Sequence, residues 1–320
     1  MDSHVEKAIF VGGCPRSGTT YLASLLANFP GVIVTPESKF KHACISEYEV
    51  REKLRKKTIE SRFNRDFYFR LWECPFPNGA PDVFDQSAYR WLMNRLINDY
   101  ANKVGFDRNY DTWVDHTPSN LGSGKFLMSL YPKAKFVHIV RDPRAVISSL
   151  IDKDWGPHDL MAASDYWLTK ISVANAFCAR YPDVCMTVRY EDLIEDTANT
   201  INSVARFCEL KTHDVDLNAM AGVYQVPTYS MNQHRLVCAA PDQSRVDGWL
   251  KEINAVSLLY IERKLRSYLA LYGYAPLGEN LSHVKFFRLK LCLLLFKQKF
   301  QSAARRRRRK HVKRQVVGLN

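Results

Sequence analysis

Long apolar stretches are scarce in this sequence. Toward its far end the longest purely apolar run, residues 291–296, has six members, against the ~20 that a membrane-spanning helix needs, so no crossing is expected. The eight cysteines contain no C-x-x-C pair and no Cys/His spacing of the zinc-site kind. They predict reduced thiols and a cytosolic setting. The opening residues MDSHVEKAIFVGG lack a basic segment followed by an apolar core, so a classical secretory signal is not expected. Acidic residues are missing from position 281 onward, where thirteen Lys and Arg fall. The whole formal charge is +13, so residues 1–280 are formally neutral and the basicity belongs to a tail at 281–320. No internal repeat is present, which excludes a solenoid.

What the chain does have is 46% apolar residues in a length of 320, enough for one large α/β domain with insertions. Residues 8–12 form a short apolar run ending in glycine, the shape of a buried parallel strand, and Leu22, Leu25 and Leu26 then repeat at helical spacing. Residues 32–34 give a second strand and a basic stretch at 41–60 predicts a helix, while the proline-rich segment 74–82 reads as a surface loop. Helical patterning resumes at 86–103. TWVDHTPSN reads as a strand entering a cap-rich turn, and AKFVHIVRDP, 134–143, as a buried strand ending in charge with Pro143 opening the next helix. Further on, 166–180 predicts helix, 184–189 strand, Ile201 with Val204, Ala205 and Cys208 an amphipathic helix, and 254–271 one long helix closed by Gly273 and Pro276. Strands alternating with helices predict an α/β fold: a central parallel sheet of about five strands flanked by helices, with ligands at the carboxyl ends of the strands.

The segment GGCPRSGTT, residues 12–20, has the frame of a phosphate-binding loop, in which glycines let backbone N–H groups approach an anion at a helix N-terminus. A nucleoside-triphosphate loop carries lysine directly after its second glycine; here that position is Thr19, and the cation has moved back to Arg16. No aspartate-based Mg²⁺ site and no guanine-specificity motif stands out, so a metal-dependent kinase or NTPase is the rival reading and no metal is expected.

PRSGTT together with VRDPRAVISS, about 125 residues apart and each after a strand, resembles the 3′-phosphoadenosine 5′-phosphosulfate (PAPS)-dependent sulfotransferases, in the arginine-loop form of tyrosylprotein and many bacterial carbohydrate sulfotransferases. The resemblance implies a domain over about residues 1–280 and PAPS as co-substrate. Arg16 would hold the 5′-phosphate and bridging oxygen, with N–H and hydroxyl donors from Ser17, Gly18, Thr19 and Thr20. Arg141 and Ser149, eight residues apart, would bind the 3′-phosphate. Tyr190, in VRYEDL, would lie near the adenine or its ribose phosphate, and Ser244 and Arg245, in SRVDGW, match the family's last donor-binding segment more loosely. The chemistry agrees, since a sulfuryl group carries less negative charge than a phosphoryl group and an in-line transition state can be stabilised by cations and backbone donors alone.

An acceptor hydroxyl must lose a proton as it attacks, so a base must face the leaving group. Glu37, in VTPESK, lies 21 residues after Arg16, and the resemblance makes it the base. His116, in VDHTPSN, stands where many relatives carry lysine and is the alternative, with Asp115 placed to orient it. The tail, HVKFFRLKLCLLLFKQKF followed by RRRRRK, joins an apolar and basic helix to an arginine run and predicts attachment to an anionic membrane surface, on the cytoplasmic side. Nucleic-acid binding is not expected, because no aromatic platform accompanies the charge. Membrane attachment makes carbohydrate or glycolipid the leading acceptor class, with protein tyrosine as the alternative. Oligomeric state is not legible in the sequence.

Overall fold

A computed structural model describes residues 5–42, 45, 48, 51–106, 109–212, 215–216, 242–277 and 287–298. Five strands, β1 (Lys7–Gly13), β2 (Val32–Val34), β5 (Thr112–Asp115), β6 (Lys135–Val140) and β7 (Cys185–Arg189), form one sheet in the order β2-β5-β1-β6-β7. Every pairing in it is parallel. A two-stranded antiparallel ribbon, β3 (Leu54–Arg55) with β4 (Val83–Phe84), stands apart from it.

The period-2 alternation of a strand divides β1 between two cores. Ala8 and Phe10 face a cluster with Trp113, Tyr131 and Phe136 that is covered by the helix Gln86–Lys103 through Leu92, Leu96 and Ile97. Ile9 and Val11 face the other side, with Val114, Val137 and Ile139, under the loop helix Thr19–Leu26 and the helix Thr197–Phe207. Near-continuous burial of β1 and β6 is what a sheet covered on both faces requires. Because all five strands run the same way, their carboxyl ends share one edge. That edge emits the phosphate loop after β1, Glu37 after β2, His116 after β5, Arg141 after β6 and Tyr190 after β7.

Three local expectations give way. The basic stretch 41–60 is not one helix: helical residues 45, 48 and 51 are separated by strand β3 from a second helix that begins at Lys56. The helix expected over 254–271 is two, Ala255–Lys264 and Arg266–Leu271, interrupted at Leu265, whose side chain is fully buried. The thiols are not all free, since Cys178, near the end of the helix Leu160–Arg180, is joined in a disulfide to Cys185 at the start of β7. Seven residues apart in sequence, the pair is brought together by the tight turn that returns the helix to the sheet. Cys14, Cys74, Cys208 and Cys292 are free.

Residues 287–298 are helical. Leu291, Leu294 and Leu295 of this helix pack against a core containing Leu160, Trp167, Ile261 and Leu265, and the Arg263 guanidinium lies 5.1 Å from the centroid of the Phe287 ring. The arginine run at 305–309 lies outside the described residues.

Candidate active site

The loop between β1 and the helix Thr19–Leu26 turns through three residues with positive φ: Gly13 (152°), Arg16 (77°) and Gly18 (100°). Gly18 is required twice over, because a Cβ there would also stand 2.5 Å from the Tyr190 ring. Arg16 holds the left-handed conformation without that freedom, a strained backbone of the kind that clusters at binding sites. Its Nε donates to Ser149 Oγ at 3.1 Å across 133 residues of sequence, so the loop arginine and the serine of the second motif share one site.

Arg141, at the end of β6, joins them. Its Nη1 donates to the Arg16 carbonyl at 3.3 Å and its Nη2 to the Arg245 carbonyl at 2.7 Å, and its guanidinium stacks 4.4 Å from the centroid of the Tyr190 ring. Tyr190, buried against Gly18, therefore acts as the platform that fixes Arg141. Burial, then the nearby Arg141 and Arg245, lower the proton affinity of Arg16, and among the described residues no carboxylate forms an ion pair with Arg16 or Arg141. Ser17 Oγ and Arg141 Nε are buried with no hydrogen-bond partner among the described residues. Uncompensated guanidiniums and orphaned donors in one place describe an anion site.

The rest of the second motif is structural. Asp142 caps the helix Pro143–Ile151 by accepting from Arg144 N at 2.8 Å, and Pro143 occupies its first turn. Arg144 is buried between Asp142 at 2.7 Å and Glu262 at 2.6 Å, which anchors the carboxyl-terminal helices to the sheet edge. Ser244 is the least engaged of the expected donor residues: it is exposed, and its hydroxyl donates to Asp242 Oδ1 at 2.6 Å. Arg245 meets the site through its carbonyl and its charge.

On the acceptor side, Glu37 is half-buried, and burial first and Asp115 second raise its pKa to about 7. Burial drives His116 the other way, to about 4, so it is a neutral imidazole near pH 7. Its Nδ1 lies 3.4 Å from Thr20 Oγ1, which links it to the loop. Asp115 serves more as an anchor than as an orienting partner for His116. Its carboxylate takes hydrogen bonds from the Ser38 hydroxyl, from Lys41 Nζ at 3.1 Å, from Thr117 N at 2.8 Å and from Asn120 Nδ2 at 2.9 Å. Ser38 N also donates to Thr117 Oγ1 at 2.9 Å, so the segment after β2 that carries Glu37 and the turn that carries His116 are tied together. Burial would raise Asp115, but Lys41 and these hydrogen bonds hold it well below the usual carboxylate range.

Two features went unnoticed in the sequence. Lys41, fully buried, reads there as one more cation of a basic stretch. Lys153, half-buried just beyond the end of the helix Pro143–Ile151, is lowered by burial and by the charge of Arg16, so a further cation stands near that guanidinium. A cleft of about 410 Å³ is lined by Lys39, His42, Asp66, Ser119, Gly122 and Ser123.

With this geometry in view, comparison with known proteins is decisive on the family. Residues 8–214 match the model of the sulfotransferase family. The chain belongs to that family. Protein-tyrosine sulfotransferase 1 of Danio rerio is 28% identical over 215 residues, covering 66% of this chain and 55% of that protein. The protein-tyrosine sulfotransferase of Drosophila melanogaster is 26% identical over 216 residues, covering 66% of this chain and 39% of that one. The chain thus spans about half the length, or less, of these two sulfotransferase relatives. Among solved structures, the sulfotransferase domain of the Synechococcus PCC 7002 olefin synthase superposes with a TM-score of 0.50 at 19% identity, over 83% of this chain and 95% of that domain, a likeness of fold.

Proposed function

We propose that this sulfotransferase transfers the sulfuryl group of PAPS to a tyrosine hydroxyl of a protein or peptide. The observation that carries the donor is the convergence of Arg16, Ser149 and Arg141 on one uncompensated anion site, with Ser17 Oγ and Arg141 Nε left to be satisfied. Arg141 and Ser149 would hold the 3′-phosphate, and Arg16, Lys153 and the loop N–H groups of Ser17 to Thr20 the 5′-phosphosulfate. As the acceptor oxygen attacks sulfur, the bond from sulfur to the bridging oxygen breaks, charge leaves with the bisphosphate toward Arg16, and the acceptor proton passes to Glu37. A carboxylate with a pKa near 7 suits that role, since about half of it is ionised at pH 7 and it is basic enough to accept the proton. His116, neutral, supplies a hydrogen bond rather than the charge of a lysine.

The tyrosine acceptor rests on the relatives matched by sequence, which are named for it; the carbohydrate or glycolipid acceptor takes second place. Calorimetric titration of the purified protein with adenosine 3′,5′-bisphosphate, and in parallel with ADP plus Mg²⁺, tests the donor. Clear preference for the bisphosphate without metal is expected, and preference for Mg·ADP would replace the proposal with the kinase reading. Transfer of label from [³⁵S]PAPS to tyrosine peptides and to polysaccharides, side by side, tests the acceptor.

A further inference from the structure

The helix 287–298 is apolar on two sides. Its inner side, Leu291, Leu294 and Leu295, is packed into the core of the sulfotransferase domain, and Leu160 N donates a hydrogen bond to Gln298 Oε1 at 3.0 Å. Its outer side carries Leu289 and Leu293, one turn apart and 58% and 61% exposed. Around these leucines the exposed charges, Arg288, Lys290 and Lys297, are all positive. A surface helix ordinarily needs one apolar stripe to dock and a polar face toward water. Here a second stripe faces outward, in the part of the chain where thirteen Lys and Arg follow residue 280 with no Asp or Glu.

We propose that this outer stripe is a docking surface for an anionic lipid bilayer, with the helix lying in the headgroup plane. Leu289 and Leu293 enter the acyl boundary while the flanking cations Arg288, Lys290 and Lys297 meet lipid phosphates. Charge complementarity selects this occupant: a second copy of the chain would bring the same positive charge to the same stripe. No helix among the described residues is long and apolar enough to cross a membrane, so attachment is in the plane. Because the inner stripe is fixed in the domain core, docking would hold the whole domain in one orientation to the surface.

The test is sedimentation of the full chain with phosphatidylcholine vesicles and with vesicles containing phosphatidylserine, for the wild type and for the double variant Leu289→Ser/Leu293→Ser. Bisphosphate binding by the same preparations reports that the domain is folded, and its outcome is independent of the lipid result. Binding only to the phosphatidylserine vesicles is expected, weakened by added salt, and reduced on the order of ten- to a hundredfold in the double variant. Undiminished binding by the double variant would overturn the proposal, leaving the arginine run as sole attractant. So would the absence of vesicle binding, a Leu289- and Leu293-dependent dimer that excludes vesicles, or tighter binding to RNA than to the anionic vesicles.

Discussion

The two candidate bases predict different pH dependences. Glu37 is raised to about 7 by burial and by the neighbouring Asp115, whereas burial lowers His116 to about 4. With Glu37 as the base, pH 5 lies about two units below its pKa, and only about 1% of the enzyme holds the carboxylate. The apparent kcat/KM there falls about a hundredfold below its plateau. With His116 as the base, about nine-tenths of the imidazole is already neutral at pH 5, and the loss is barely measurable. The assay is kcat/KM for sulfate transfer to a tyrosine peptide between pH 4.5 and 9, with donor affinity measured at each pH so that loss of PAPS binding is separated from loss of the base. Glu37→Gln should retain bisphosphate affinity and lose about 10²- to 10⁴-fold in kcat. A limb near 4, or a Glu37→Gln variant with full activity, would refute the assignment and give the role to His116.

Two further outcomes are expected. Arg141→Ala should weaken binding of adenosine 3′,5′-bisphosphate by about a hundredfold, the worth of roughly 3 kcal/mol in charge-assisted hydrogen bonds, while ADP binding changes little; equal losses in calorimetry would mean that Arg141 only braces the Arg16 carbonyl. His138, fully buried in β6 with neither ring nitrogen hydrogen-bonded among the described residues, is lowered by burial to about 4 from 6.5. The unfolded chain therefore binds the proton first as pH falls, so the wild type loses stability from pH 6.5 down to about 4, by at most about 3 kcal/mol from this group. His138→Leu should gain about 1–2 kcal/mol at pH 7 by removing the unpaired ring nitrogens and show a shallower decline toward pH 4 in urea denaturation. An unchanged slope would place the pH sensitivity elsewhere.

Much of this site is legible in sequence because each element of it is local. A glycine loop between an apolar run and a helix, Pro143 behind a capping aspartate, and a tyrosine or glutamate directly after a strand are patterns within ten residues, and a parallel sheet then brings all the strand ends to one edge. What escaped reading was set by distant partners. Lys41 looks like a solvated cation until Asp115, 74 residues away, removes it from water. The 41–60 stretch has helical composition, yet the pairing of Leu54 with Phe84 makes part of it a strand. Cys178 and Cys185 look unrelated until the helix and the strand between which they sit turn back on each other.

The sequence by itself determined the fold class and the glycine loop between the first strand and its helix, because short-range patterns dictate backbone conformation and residue chemistry. Only the tertiary structure decided how the side chains at the strand ends meet: that Arg16 meets Ser149, that Tyr190 supports Arg141, that burial raises Glu37 to about 7 and lowers His116 to about 4. Desolvation and Coulomb interactions are sums over neighbours drawn from every strand end, and those neighbours exist only once the chain has folded.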